Sequence, residues 1–457
     1  VLFRSAAVSA AGWGVEALLD ALVEGRPRVR PVPWDTPGLR SPFAALARAG
    51  GAEELLGSVV EAVAPAGGAG LVVATSSGAI SGDFEAWHRA HRGAPPAEGA
   101  GARAVPTRAV AARLGLFPAT TLSVACTSGT AAFEVARGWL RAGACERVIV
   151  AGYDALSLYI HAGFAGLGAL AASASRPFAV GRDGLVLGEG AAAFLLETPV
   201  SARAAGRSAL VALRGCGLSQ DAVHLTAPDR SGSGLARAAN AALADAGVGA
   251  EAIGAVSAHA TGTVFNDAME ARALASVFGG PVPLHVAKPV IGHTLGGAGA
   301  LEAAALIGIL AGGKPPPPPA ISDPDCPVEV RPAEATGWGL SVNAAFGGVN
   351  SAVVFGPPGE EARTERGARP VQTSRIATDE LAFARIFPSA PPALGRADAY
   401  VRGGIALLAE LRPSLTPDTA VVLASEGNCH AADRRYHAGL LDAGPAGASR
   451  VHFSYTI

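Results

Sequence analysis

The residue best placed for nucleophilic chemistry is Cys126. In Ser123-Val124-Ala125-Cys126-Thr127-Ser128-Gly129-Thr130-Ala131-Ala132 an apolar strand is expected to run straight into the cysteine, and small residues then open a helix. A thiol on such a turn meets the unpaired N–H groups and the dipole of a helix N-terminus, which favour the thiolate. A free thiol of pKa ~8.5 is only slightly ionised at neutral pH, so that help matters. Taken alone, the segment also fits a buried structural cysteine in a tight turn. Two histidines stand in comparable surroundings. His259 lies in Ser257-Ala258-His259-Ala260-Thr261-Gly262-Thr263, followed by Asp267 and Glu270. A histidine just past an apolar strand, in a Gly/Thr loop, suits a loop-borne site on a rigid scaffold, although a lone one is more often a satisfied core residue. His293 closes Lys288-Pro289-Val290-Ile291-Gly292-His293 and leads into Gly296-Gly297-Ala298-Gly299-Ala300. It stands where a helix begins, and dipole and burial there favour neutral imidazole. The glycine string lacks the GxxxxGK[ST] and Rossmann spacings, so close helix packing explains it better than a phosphate cradle. Phe346-Gly347-Gly348-Val349-Asn350, between two strand-like runs, is by itself a glycine turn.

These residues need elements to hold them. Leu71 to Thr75, Thr121 to Ala125, Val148 to Ala151 and Ala191 to Leu196 are short apolar runs with the look of strands. Gly14 to Glu24, Glu134 to Ala142, Leu235 to Ala246 and Leu301 to Leu310 are read as helices. Strands alternating with helices imply an α/β fold whose sheets are covered on both faces. A chain of 457 residues, 50% apolar and only 16% charged, favours large buried cores over a solvated chain. A net charge of −2 provides no basic field for nucleic acid and no polybasic run for a membrane surface. The longest apolar stretches, such as Ala303 to Ala311, are too short to span a bilayer, and no signal-peptide pattern opens the chain, so a cytoplasmic protein is expected. The five cysteines, Cys126, Cys145, Cys216, Cys326 and Cys429, form no CxxC pair and no zinc spacing. That suits a reducing compartment, with all but Cys126 serving as small structural hydrophobes.

In order and spacing these segments resemble the β-ketoacyl-acyl carrier protein synthases of the elongating type, which share the thiolase fold. The resemblance runs from about Ala6 to Phe355. It implies a layered αβαβα double domain and a decarboxylative Claisen condensation. An acyl thioester is joined to malonyl-acyl carrier protein, giving a 3-oxoacyl product in fatty acid or polyketide synthesis. Cys126 matches the acyl-accepting cysteine, His259 and His293 the two catalytic histidines, and Lys288 the lysine of the Lys-x-x-x-Gly-His pattern. By the same resemblance, Glu270 and Asp267 are polar partners, with Lys288 and Glu270 organising a water network. The backbone N–H groups of Cys126 and Phe346 form an oxyanion hole, and Thr261 and Thr263 contact the phosphopantetheine arm. The family's Arg-Asp-Gly segment is present as Arg182-Asp183-Gly184, before Gly188-Glu189-Gly190. No metal or organic cofactor is implied. The implied partners are an acyl carrier protein and a second ketosynthase-like subunit, in a homodimer or heterodimer. There are departures. The family commonly reads His-Gly-Thr-Ser-Thr where this chain has His259-Ala260-Thr261-Gly262-Thr263. It often reads Asn-Ser-Phe-Gly-Phe-Gly-Gly where this chain has Val342-Asn343-Ala344-Ala345-Phe346-Gly347-Gly348, which puts the shape of the acyl pocket in question.

The expected domain plan follows. Val1 to Ser5 read as a non-native scar, excluded from the fold, and the strand that should precede the first helix is missing. Residues 6–356 form the ketosynthase domain, with a cysteine half to about residue 200 and a histidine half from about 201. The proline run Pro315 to Pro319 is a stiff connector between a helix and the next strand. Residues 357–395 are a Gly/Pro-rich, charged linker, and 396–457 the incomplete start of a second ketosynthase-like domain. The second copy is inferred because Val421-Val422-Leu423-Ala424-Ser425-Glu426-Gly427 echoes Val72-Val73-Ala74-Thr75-Ser76-Ser77-Gly78, each with an aromatic–His pair nine residues on, Trp87-His88 and Tyr436-His437. Three rival functions fit the residues less well. A thiolase would carry a second cysteine near Phe346 to Asn350, and none is there. An initiating synthase would use a catalytic asparagine in place of one histidine, against the Lys288/His293 segment. A non-catalytic chain-length partner would have lost the cysteine.

Overall fold

Two six-stranded sheets carry the fold. The computed structural model of the chain describes residues 1–34, 41–47, 51–65, 67–78, 106–224, 226–335 and 337–359, which belong to a unit ending at Glu361. The expected second copy, its aromatic–His pairs, Cys429 and nearly all of the expected linker lie outside the described residues. The strands in chain order are β1 (Leu2–Ser9), β2 (Gly12–Trp13), β3 (Arg30–Pro31), β4 (Phe43–Ala44), β5 (Gly70–Ala74), β6 (Ala119–Leu122) and β7 (Arg147–Asp154). They continue as β8 (Gly190–Glu197), β9 (Ala212–Gln220), β10 (Ile253–Ser257), β11 (Val282–His285), β12 (Val330–Arg331), β13 (Trp338–Ala344) and β14 (Val349–Gly356). The first sheet has the order β2-β1-β8-β7-β5-β6 and the second β12-β11-β10-β13-β14-β9, while β3 and β4 form a separate ribbon.

The two sheets repeat one topology. From β6 through β5, β7 and β8 to β1 the pairings run parallel, parallel, antiparallel, antiparallel. From β11 through β10, β13 and β14 to β9 they run the same way. The helices Ser128–Arg141 and Ala298–Leu310 occupy equivalent places in the two halves and pack between the sheets. The helix Ala52–Val63 covers the outer side of the first sheet, and Ser233–Ala246 that of the second. The result is the expected thiolase-like αβαβα layering. Strand β5 shows why. Val72 and Ala74 join the central core, whereas Leu71 and Val73 join the outer one, as the two-residue side-chain period requires. A strand buried on both faces reads as a continuous apolar run, which is what the sequence carries.

The two central helices approach backbone to backbone. A Cβ on Gly129 would lie 2.6 Å from the amide nitrogen of Ala300, so only glycine fits. The glycine string is therefore packing material, as its spacing suggested. Two sequence expectations need correction. Leu2–Ser9 is a strand, paired with β8 from Leu2↔Leu196 to Val8↔Ala191, so the first residues take part in the sheet and the strand before helix Val15–Glu24 is present. Strand β6 ends at Leu122 rather than running into Cys126. Side-chain hydrogen bonds from Thr127 and Ser128 claim the backbone of Val124 and Ala125 instead.

Candidate active site

Cys126 occupies the turn between β6 and the helix Ser128–Arg141. The turn is tied by Ser128 Oγ, which donates to Ala125 O at 2.6 Å and accepts from Val124 N at 2.8 Å. Ala125 is left-handed at φ 48°. Ala260, next to His259, has φ 42°, and Leu295, two past His293, has φ 51°. Left-handed backbone costs a non-glycine residue about 1–2 kcal/mol and persists only where its surroundings fix it, as at functional sites. All three chemically interesting loops carry this strain.

The folded chain brings the three side chains into one cavity of 430 Å³. His293 Nε2 lies 3.2 Å from Cys126 Sγ. The rings of His259 and His293 meet edge to face, centroids 5.4 Å apart at 90°. All three residues are buried. Burial holds both imidazoles well below their ordinary pKa, with the charge of Lys288 acting in the same direction and His293 adding to it at His259. Both rings are therefore neutral at neutral pH. Burial also pushes the Cys126 thiol up to about 12, against the pull of Lys288. The helix N-terminus was expected to favour the thiolate. Desolvation outweighs it in the resting enzyme, and the sulfur rests as a thiol.

Behind the histidines lies a polar network. Lys288 Nζ pairs with Glu302 Oε1 and donates to His259 O at 2.5 Å, with His259 Nδ1 3.3 Å away. Asn343 Nδ2 lies 3.0 Å from His259 Nδ1 and donates to Glu302 Oε2 at 2.7 Å, while Asn343 Oδ1 accepts from Thr130 Oγ1. Glu270 and Lys288, expected to share a water network, make different direct contacts. Lys288 belongs to Glu302, and Glu270 instead accepts from the amides of His259 and Ala260 at 2.6 and 2.7 Å, bracing the histidine loop. Its carboxyl is pushed up to about 8 by burial, despite those two donors. Asp267 accepts from Gly262 N at 3.1 Å and Phe178 N at 2.9 Å and faces Arg182 Nε at 3.5 Å, and burial lifts it to about 6.

Comparison with known proteins agrees with this geometry. Residues 39–202 match the N-terminal domain of the β-ketoacyl synthases and residues 210–321 their C-terminal domain, stretches that contain Cys126, His259, Lys288, His293 and Glu302. The chain is 35% identical over 269 residues to nodulation protein E of Rhizobium meliloti, covering 56% of this chain and 67% of that protein. The chain belongs to the β-ketoacyl synthase family. It is also 33% identical over 246 residues to 3-oxoacyl-[acyl-carrier-protein] synthase 2 of Staphylococcus aureus, covering 50% of this chain and 61% of that one. The chain thus spans about three-fifths to two-thirds of the curated relatives it matches. Among solved structures, the ishigamide ketosynthase/chain length factor superposes with a TM-score of 0.68 at 28% identity, over 79% of this chain and 99% of that one. A β-ketoacyl synthase from Burkholderia phymatum gives 0.69 at 28%, over 78% and 99%.

The remaining residues expected in a β-ketoacyl synthase site also line the cavity. Thr261 and Thr263, with hydroxyls 3.0 Å apart, stand on the His259 side, and Phe346 stacks on Phe164 at 5.8 Å. Ala344, where the family often has phenylalanine, lines the same space. Arg182, from the Arg-Asp-Gly segment, pairs with Asp323 and donates to Val264 O at 2.9 Å, fastening the histidine loop from the other half of the synthase. Glu302, Asn343 and Asp154 escaped the sequence reading. Glu302 is the lone charge in the apolar helix Ala298–Leu310, a signal that was legible. In the sequence Asn343 stands out only as a departure from the motif. Asp154, at the end of β7, accepts from Thr75, Ser76, Ser77 and Gly296 and ties the cysteine half to the glycine string. Nothing in its local sequence announces that role.

Proposed function

We propose that this β-ketoacyl synthase condenses an acyl thioester with a malonyl thioester borne on an acyl carrier protein, and that Cys126, His259 and His293 perform the chemistry. The reading rests on one observation above all: a buried thiol lies 3.2 Å from one neutral imidazole, with a second imidazole edge-on to the first, inside one cavity. Cys126 Sγ attacks the acyl carbonyl, the carbon–sulfur bond of the donor breaks, and the thiol proton leaves with the departing pantetheine sulfur. In the second step the carboxyl–carbon bond of the malonyl group breaks, carbon dioxide departs, and the electron pair becomes an enolate. A neutral imidazole keeps one N–H, so His259 and His293 can each donate to the enolate oxygen. The enolate carbon attacks the Cys126 thioester, and the oxyanion is held by the amides of Cys126 and Phe346. Collapse expels the Cys126 sulfur, whose raised pKa returns it to the thiol by taking a proton from solvent. Lys288 and Glu302 shape the field behind the pair, and Thr261 and Thr263 receive the pantetheine arm. Every electron pair moves between carbonyl, sulfur and carbon atoms, so the scheme calls for no metal or organic cofactor.

The synthase is further proposed to work with a second ketosynthase-like subunit. A cytoplasmic setting is supported by the unpaired Cys126, Cys145, Cys216 and Cys326, which suit a reducing compartment. No helix among the described residues is long and apolar enough to cross a membrane. Single-turnover kinetics test the division of labour. Replacing His259 or His293 by alanine should slow malonyl decarboxylation by roughly 10²–10³-fold, the cost of a lost oxyanion donor, while Cys126 still takes up acyl groups. Equal loss of both steps would contradict the assignment.

A further inference from the structure

The Asn343 amide is held in one orientation by three neighbours. Its Oδ1 accepts from Thr130 Oγ1, and its Nδ2 donates to Glu302 Oε2 at 2.7 Å. Turning the amide over would aim a carbonyl oxygen at the Glu302 carboxylate that Lys288 already pairs with. The remaining N–H of Nδ2 therefore points at His259 Nδ1, 3.0 Å away. Lys288 Nζ, the other donor near that atom, is farther at 3.3 Å and turns its other two N–H groups to Glu302 and to His259 O. An imidazole nitrogen facing donors must offer its lone pair, which leaves the ring proton on Nε2.

We infer that Asn343 is a positioning residue that locks His259 in the Nε2–H tautomer, so that its one proton faces the cavity as an enolate donor. The inference rests on the activity proposed above and extends it. Aligned on Phe346-Gly347-Gly348, Asn343 stands where the family pattern has serine. The amide also couples two halves of the machinery. Thr130 lies on the cysteine helix and Glu302 on the histidine-side helix, and one side chain bonds to both. A ring with its proton on Nδ1 instead would face two donors there and present a bare lone pair to the enolate. The wrong tautomer in a catalytic histidine is known to be costly even where geometry survives.

The test compares Asn343→Ala with Asn343→Ser, which differ by one hydroxyl donor, in the intact chain. Malonyl decarboxylation from malonyl-N-acetylcysteamine, acyl loading of Cys126 from a hexanoyl thioester, and the ¹⁵N spectrum of His259 are measured on each. Asn343→Ala is expected to slow decarboxylation roughly ten-fold or more, with acyl loading changed less than about two-fold. Asn343→Ser should recover part of the rate. The His259 spectrum should pass from a single Nε2–H tautomer in the wild type to a mixture in Asn343→Ala. Unchanged decarboxylation, parallel loss of both steps, or a wild-type ring protonated on Nδ1 would overturn the inference. A wild type that neither loads nor decarboxylates would instead defeat the proposed activity, and the nitrogen spectrum would still decide the role of Asn343.

Discussion

At Cys126 the local chemistry pulls in two directions. The turn offers helix amides, and burial offers a dry pocket in which the charged sulfur is costly, so the thiol is pushed up to about 12. The sulfur is then nucleophilic only while it attacks. The histidines follow the opposite sign. Burial holds both well below the ordinary histidine value, so they stay neutral where an exposed imidazole would begin to charge. Decarboxylation per folded enzyme should accordingly stay flat as pH falls from about 7.5 to 6. An acid limb centred at the ordinary histidine value would contradict neutral donors. Stability moves differently over the same range. The unfolded chain binds protons at these two residues below its pKa of about 6.5 while the fold does not, so their contribution to stability should fall as pH drops through that value, opposed by Glu270 and Asp267, whose raised carboxyls take up protons in the fold first. Much of this site was legible in the sequence, because Cys126, His259 and His293 each sit in a run of small residues between apolar segments. Glu302 stands out in the sequence as the lone charge of an apolar helix, but what it faces, and the role of Asn343 in a buried strand, are revealed only by the fold.

At the level of elements, the site depends on how closely two helices can approach. Gly129 on one and Gly299 on the other meet backbone atoms, Ala300 N at 2.6 Å and Thr130 N at 2.6 Å from their notional Cβ positions. Gly129→Ala should push the helices apart, cost about 1–3 kcal/mol of stability and lower acyl loading by shifting Cys126 from His293. Chemical denaturation checks the first expectation and acyl transfer the second; a variant as stable and active as the parent would show that the contact yields freely. The glycine string was readable as packing, but the end of β6 was not. Thr127 and Ser128 redirect the backbone of Val124 and Ala125 into the turn, and that outcome depends on side-chain hydrogen bonds rather than on apolar pattern. The opening strand was missed for a related reason. Leu2-Phe3-Arg4-Ser5 has no clear alternation, and its place is set by pairing with β8 nearly the whole half-domain away.

In the whole molecule, two halves of one topology each bring part of the chemistry, the cysteine from the first and the histidines from the second. The repeat is absent from the sequence because topology, not residue identity, is what recurs. Arg182 joins the halves. It is buried against Asp267 and Asp323 and holds the carbonyls of Thr263 and Val264. Arg182→Met would leave a buried carboxylate unpaired and should cost about 3–5 kcal/mol, read as a lower midpoint in urea; a loss below about 1 kcal/mol would mean that solvent reaches the pair. The account as a whole requires that the thiol and the two imidazoles share one reaction. The most direct measurement is intact and peptide mass spectrometry of the synthase after an acyl thioester and then malonyl-acyl carrier protein. The account predicts one acyl group on the Cys126 peptide, absent in Cys126→Ala, discharged as a 3-oxoacyl product with release of carbon dioxide. An acyl group on another residue, or condensation by Cys126→Ala at the parent rate, would contradict it.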